Sequence, residues 1–171
     1  MLTVQKPQPA MIDQIMALIS GAQRRMAEIQ IDQWQDGYPD RAQIESDIRR
    51  GAARAFMEDN RLAGYAALVI GVEPAYEALR GKWLLPCAKY ASIHRMAMND
   101  GFSGRGLGAQ VIDALLKEAA QAGCDSVRAD THRGNFPMRR LLERNGFIAC
   151  GECEYESAGD PVRVAYEKIL K

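Results

Sequence analysis

Across 171 residues no stretch approaches the ~20 consecutive apolar residues that a membrane-crossing helix needs. The chain also lacks net charge, because 22 Lys and Arg balance 22 Asp and Glu. That removes the broad basic field by which proteins collect nucleic acid or an anionic membrane, so neither is expected as a partner. The opening MLTVQKPQPA has no charged-then-apolar signal arrangement, and a cytoplasmic protein is the expectation. Cysteines are few: Cys87, Cys124, Cys150 and Cys153. Cys150-x-x-Cys153 resembles half a zinc knuckle, but the second half is missing and neither His94 nor His132 stands at ligand spacing. Ordinary thiols and no metal are expected. There is no internal repeat, linker or low-complexity segment.

What remains is an ordinary globular composition, 47% apolar and 26% charged, long enough for one domain over residues 1–171 with its own core. Leu2–Lys6 reads as a short strand. Pro9 suits the first turn of a helix, where its missing N–H is no loss, and Ile12, Ile15, Met16, Ile19, Met26 and Ile29 follow at helical spacing. Asp40 is placed to cap a second helix, RAQIESDIRR. Ala53–Glu58 and Leu62–Ile70 flank the turn signature Asp59-Asn60 and predict a hairpin. A long irregular insert, GVEPAYEALRGKWLLPCAKY, precedes a central strand, Ser92–Met98. After it come a glycine-rich loop, a helix through Gln121, a strand over Ser126–Ala129, a helix opened by Pro137, and a terminal hairpin from Phe147–Tyr155 and Val162–Ile169. The fold class is α/β (α+β): a mixed, mostly antiparallel sheet of six to seven strands with four helices.

The most informative stretch is Ile93–Ala109. Gly104, Gly106 and Gly108 remove Cβ atoms where the backbone must take unusual angles or come close to something. The helix behind them begins with unpaired N–H groups, a seat for phosphate oxygens. Two readings compete. Gly104-x-Gly106-x-x-Ala109, with Asp130 about 20 residues on, matches the dinucleotide-binding fingerprint of an oxidoreductase. The loop comes late in the chain, however, and too few residues remain for a doubly wound sheet.

The other reading rests on two blocks. The loop Ser103-Gly104-Arg105-Gly106-Leu107-Gly108 is similar to a pattern of Arg or Gln, two residues, Gly, one residue, and Gly or Ala. Asn135, Leu142 and Gly146-Phe147 then stand where that pattern has Asn, Tyr and Gly-Phe. From Ile93 to Tyr155 the chain thus resembles the GNAT-type N-acetyltransferases, and a bacterial subgroup also shares Gln33-Trp34, Tyr38-Pro39, Glu73-Pro74, Gly81-Lys82-Trp83 and Asp130-Thr131-His132. The resemblance implies acetyl-coenzyme A as co-substrate. Met96, Ala97 and Met98 would pair with the pantetheine arm as an added strand. The loop from Ser103 through Gly104, Arg105, Gly106 and Leu107 to Gly108 would take the pyrophosphate, and Asn135 would hydrogen-bond the arm.

The acceptor expected is a small-molecule amine, met by Trp34, Tyr38, Tyr76 and Trp83, which fall in segments that overhang the acceptor side in this superfamily. Glu73 and Asp130 are the candidate bases, with His132 a further option and His94 read as a core residue. Two departures stand out: Ser103 where Arg or Gln is usual, and Leu142 where a Tyr often protonates the leaving thiolate. Tyr155, Cys150 or water would have to replace that Tyr. Leu142 also leaves open a non-catalytic acyl-coenzyme A sensor, and two-subunit association, common in the superfamily, would make a homodimer.

Overall fold

The hairpin expected around Asp59-Asn60 forms, and both turn residues take the left-handed backbone, φ 49° and 59°, that Asp and Asn tolerate. The computed structural model describes residues 1–102, 104–156 and 159–170. Its strands are β1 (Thr3–Gln5), β2 (Ala53–Glu58), β3 (Arg61–Ile70), β4 (Arg80–Gly81), β5 (Tyr90–Met98), β6 (Ser126–His132), β7 (Ile148–Glu154) and β8 (Val162–Ile169). The α-helices are α1 (Ile12–Glu28), α2 (Arg41–Arg49), α3 (Pro74–Glu77), α4 (Leu107–Gln121) and α5 (Phe136–Arg144). All eight strands join one sheet in the order β1-β2-β3-β5-β6-β8-β7-β4. Every neighbouring pair is antiparallel except β5 and β6. A doubly wound, parallel sheet is thereby overturned, and with it the fold that the dinucleotide reading required.

The described residues hold one strand and one helix more than the sequence suggests. Both extra elements, β4 and α3, lie inside the insert read as irregular. Two and four residues are too short to show any periodicity. α3 starts where Glu73 accepts a hydrogen bond from Ala75 N and Pro74 supplies the first helical residue. β4 gains its hydrogen bonds only from β7, through Arg80 opposite Glu152 and Gly81 opposite Gly151.

Alternation along the central strands separates two layers. Ala66 and Leu68 of β3 and Ala91 and Ile93 of β5 pack with Val111, Ile112 and Leu115 of α4 and with Leu142 of α5. Ala53 and Ala55 of β2 and Tyr65 of β3 pack on the other face against Ile15, Leu18 and Ile19 of α1 and Ile44 of α2. Further along that second face the insert covers the sheet with Tyr76 and Trp83, which pack on Tyr90, Cys153 and Ala165. Helix ends follow local chemistry. Asp40 accepts a hydrogen bond from Gln43 N to start α2, and Gly123 and Gly146 take positive φ, 75° and 82°, just past α4 and α5.

Candidate active site

The parallel pair at the centre of the sheet is incomplete. β5 and β6 pair only from Tyr90 opposite Ser126 to Ile93 opposite Ala129. Beyond that point β6 continues to His132 held by β8 alone, and β5 continues to Met98 held by β3 alone. The cause of the parting lies in β5. Opposite β3 the register slips between Tyr65 and Ala67, which face Ala97 and His94, so Arg95 and Met96 together oppose Ala66. Arg95 takes φ 53° there, a bulge that bends its strand away from β6.

A cavity of about 870 Å³ fills the gap, within the range of small-ligand sites. Met96, Ala97 and Met98 form one wall and Asp130 and Thr131 the other. The opening passes through the sheet. Asn135, Met138 and Leu141 reach it on the α5 side, while Trp34, Tyr38 and Arg163 line it on the side of α1 and the insert.

Asp130 is the first residue of β6 past the paired segment. Its Oδ2 accepts hydrogen bonds from Tyr76 Oη (2.8 Å) and Tyr155 Oη (2.9 Å). Burial first, and the Asp130 charge next, push both phenols above the ordinary tyrosine range. They stay protonated and act as donors to the carboxylate. Glu73 stands behind this wall rather than in it. Its Oε2 lies 3.2 Å from His94 Nε2, and His94, not Glu73, lines the cleft. Chiefly because of His94, the Glu73 carboxyl is held below the usual range, against the opposing effect of burial.

The remaining polar groups are mostly committed to one another. Arg95 donates to Asp47 through Nε (2.7 Å) and Nη2 (2.8 Å), and through Nη1 to Tyr38 Oη (2.7 Å). Tyr65 Oη adds a bond to Asp47 at 2.7 Å. His132 accepts from Gly134 N at Nδ1, which places its proton on Nε2, between Asp32 (3.2 Å) and Asp160 (3.4 Å). Gln33 Oε1 accepts from His132 N, so the 31–36 segment is fastened to the end of β6. His132 is a clasp between loops.

The glycine loop resolves into two kinds of glycine. Gly104 and Gly106 adopt φ 75° and 70° with open space around them, so backbone angle alone demands glycine. Gly108 has an ordinary φ, but a Cβ there would stand 3.2 Å from Leu141 Cδ2, so it sets the approach of α4 to α5. α4 begins at Gly106 with no side-chain cap and no acidic residue in its first turn, which leaves its first N–H groups free for an anion.

Residues 23–147 match the Acetyltransferase (GNAT) family. The chain belongs to that family. No curated protein matches its sequence. Among solved structures, the GNAT acetyltransferase from Streptococcus agalactiae 2603 is 38% identical with a TM-score of 0.89, covering 98% of this chain and 95% of its own. A GNAT acetyltransferase from Listeria monocytogenes 4b F2365 is 23% identical (TM-score 0.75, coverage 98% and 94%). The ribosomal-protein-S18-alanine N-acetyltransferase from Escherichia coli, at 13% identity and TM-score 0.68 over 100% and 95%, shares the fold.

In this acetyltransferase Leu142 is fully buried between α4, α5 and the sheet and offers no proton donor to the cleft. Ser103 lies outside the described residues. Arg105 Nη2 is 3.0 Å from Glu58 Oε2, with its guanidinium near the Phe102 ring, so it is already partnered. Trp34 and Tyr38 line the cleft as the sequence suggests, but Tyr76 and Trp83 do not. Tyr76 is 1% exposed and reaches the cleft only by holding Asp130. Trp83 donates to Tyr76 O and stacks on Arg128, 4.0 Å from its ring centre, with Tyr90 on the other side at 3.9 Å. It anchors the insert. Cys150 is absent from the cleft lining, and burial raises its thiol, as it raises Cys153 to about 12. Sequence reasoning missed Arg163, the Asp47–Arg95 pair and the phenol partners of Asp130. The first had a visible sign: one arginine inside the apolar strand VRVAYEKI.

Proposed function

We propose that this acetyltransferase moves the acetyl group of acetyl-coenzyme A to the primary amine of a small-molecule acceptor, within the opening between β5 and β6. The observation that carries this reading is the free edge of β5 over Met96–Met98 facing Asp130 across the cleft. An open strand edge accepts an extended amide-bearing chain such as the pantetheine arm. Asn135 spends its Oδ1 on capping α5, accepting from Met138 N, which leaves its amide N–H groups for that arm. The uncapped start of α4 and the Gly104–Gly108 turn suit the pyrophosphate. Backbone N–H groups at the bulge near Met96 and Ala97 would polarise the thioester carbonyl.

Of the two carboxylates, Asp130 is the better base because it lines the cleft; Glu73 acts through His94. Asp130 takes the proton shed by the attacking nitrogen as the N–C bond forms and the C–S bond breaks. The raised phenol of Tyr155 suits it to holding Asp130 rather than to releasing a proton, so the departing thiolate is protonated from water. Holding both reactants in one cleft supplies much of the rate gain. Trp34 and Tyr38 give the acceptor an aromatic surface.

A thiol-release assay over a panel of primary amines tests this. Acetyl-coenzyme A-dependent release is expected with at least one of them, and Asp130→Asn should lower kcat by about 10²–10⁴-fold with the KM for acetyl-coenzyme A little changed. Tight binding of acetyl-coenzyme A with no release on any amine would establish the sensor instead.

A further inference from the structure

Among the described residues, one arginine in the cleft has no carboxylate at ion-pair distance. Arg163 is 6% exposed, lines the cavity, and shares the insert-covered face of β8 with Ala165 and Glu167. The next charged group on that face is answered: Glu167 pairs with Arg128 at 3.0 Å. Arg95 has Asp47 and Arg25 has Asp100. Among the described residues no carboxylate lies within ion-pair distance of Arg163. Its Nη1 donates to two carbonyls, Asp160 O (2.6 Å) and Val162 O (3.0 Å), and no hydrogen bond among the described residues uses Nε or Nη2. Arg163 lines the cavity, and its Nε and Nη2 are not buried without a partner, so they are open to solvent or to a ligand; the planar guanidinium fork is shaped for a carboxylate.

Asp130 complements it. In the β6–β8 ladder Asp130 stands opposite Ala165 and His132 opposite Arg163. Asp130 and Arg163 are therefore diagonal neighbours on one face of adjacent strands, a separation of about 7 Å at the backbone. Asp130 is held by two phenols and, among the described residues, by no ion pair. Among the described residues Glu28, Asp36 and Glu156 also line the cavity, but Asp130 is the carboxylate placed diagonal to the unpaired Arg163 in the β6–β8 ladder. We infer that the acceptor is a free α-amino acid, its carboxylate bound by the Arg163 fork and its amine directed to Asp130. An α-amino acid carries those two groups on a single carbon, and its side chain would then extend toward Trp34 and Tyr38. This rests on the amine-acetylation reading above and narrows its substrate class; Arg163 sets specificity and takes no part in the proton transfer.

The test compares matched acceptors on the intact protein: tyrosine, phenylalanine and histidine, each against its decarboxylated amine and its carboxamide. Wild type is expected to favour the amino acid by at least tenfold in kcat/KM, chiefly through KM. Arg163→Gln should bring that ratio toward one, and Arg163→Lys, which keeps the charge without the fork, should fall between. Equal or better use of the amines and amides by wild type overturns the inference while leaving amine acetylation standing. So does an Arg163→Gln loss shared equally by all three acceptor types. No thiol release with any acceptor overturns the amine-acetylation reading itself, and this inference with it. Should Arg163→Gln fail to fold, the wild-type comparison and Arg163→Lys still decide.

Discussion

Glu73 shows how one side chain can look catalytic in sequence and take a different place in the fold. Its neighbours in the insert suggest an acceptor loop, yet the carboxylate is turned to cap α3 and to meet His94. No pattern in the sequence ties residue 73 to residue 94, so this placement was not legible. Its lowered pKa has a stability consequence with a definite sign. A carboxyl depressed in the folded state contributes stability in full above its unfolded value, near 4.3, and loses it as pH falls through the lower folded value. Glu73→Gln should therefore lower the Tm at neutral pH, and the gap to wild type should close on acidification below that folded value. Thermal melts from pH 7 to pH 3 check this; a gap that stays constant over the range would show the His94 contact to be without weight. Asp130, by contrast, was legible. It follows the strand run Ser126–Ala129, and the fold carries β6 through it to His132, past the last residue paired with β5.

Helices with clear 3.6-residue spacing and the two hairpins could be read directly, because their apolar faces are the ones that pack. α3 and β4 could not, since β4 exists only through its pairing with β7. The aromatic insert misleads for a related reason. Tryptophan in a polar stretch signals burial against something, and nothing local says whether that is ligand or protein. Here it is the Arg128 guanidinium, clasped between Trp83 and Tyr90 and paired with the fully buried Glu167. The α4–α5 contact gives a test at this scale. Gly108→Val forces branched carbon against Leu141 and should cost about 1–3 kcal/mol by overpacking. Leu141→Ala in the same chain should recover part of that loss, because it removes the opposing atoms. Urea titrations of the two single variants and the double variant measure the coupling. Simple additivity would mean the helices do not meet there in solution.

At the scale of the molecule, the sheet is continuous but its middle is parted, and the parting opens to both faces. The glycine loop leads into α4 on the α4–α5 face, and Trp34, Tyr38 and Arg163 line the cavity from the opposite face. A protein built this way has no structural reason to release one product before admitting the second reactant. Double-reciprocal plots at several fixed acceptor concentrations should therefore intersect rather than run parallel. Product inhibition should show coenzyme A competing with acetyl-coenzyme A but not with the acceptor. Parallel lines would mean a covalent acetyl-protein stage, for which no cysteine thiol lines the cleft among the described residues. On the amine-acetylation reading, the break beyond Ile93 and Ala129 thus leaves room for both reactants to stand in the cleft together.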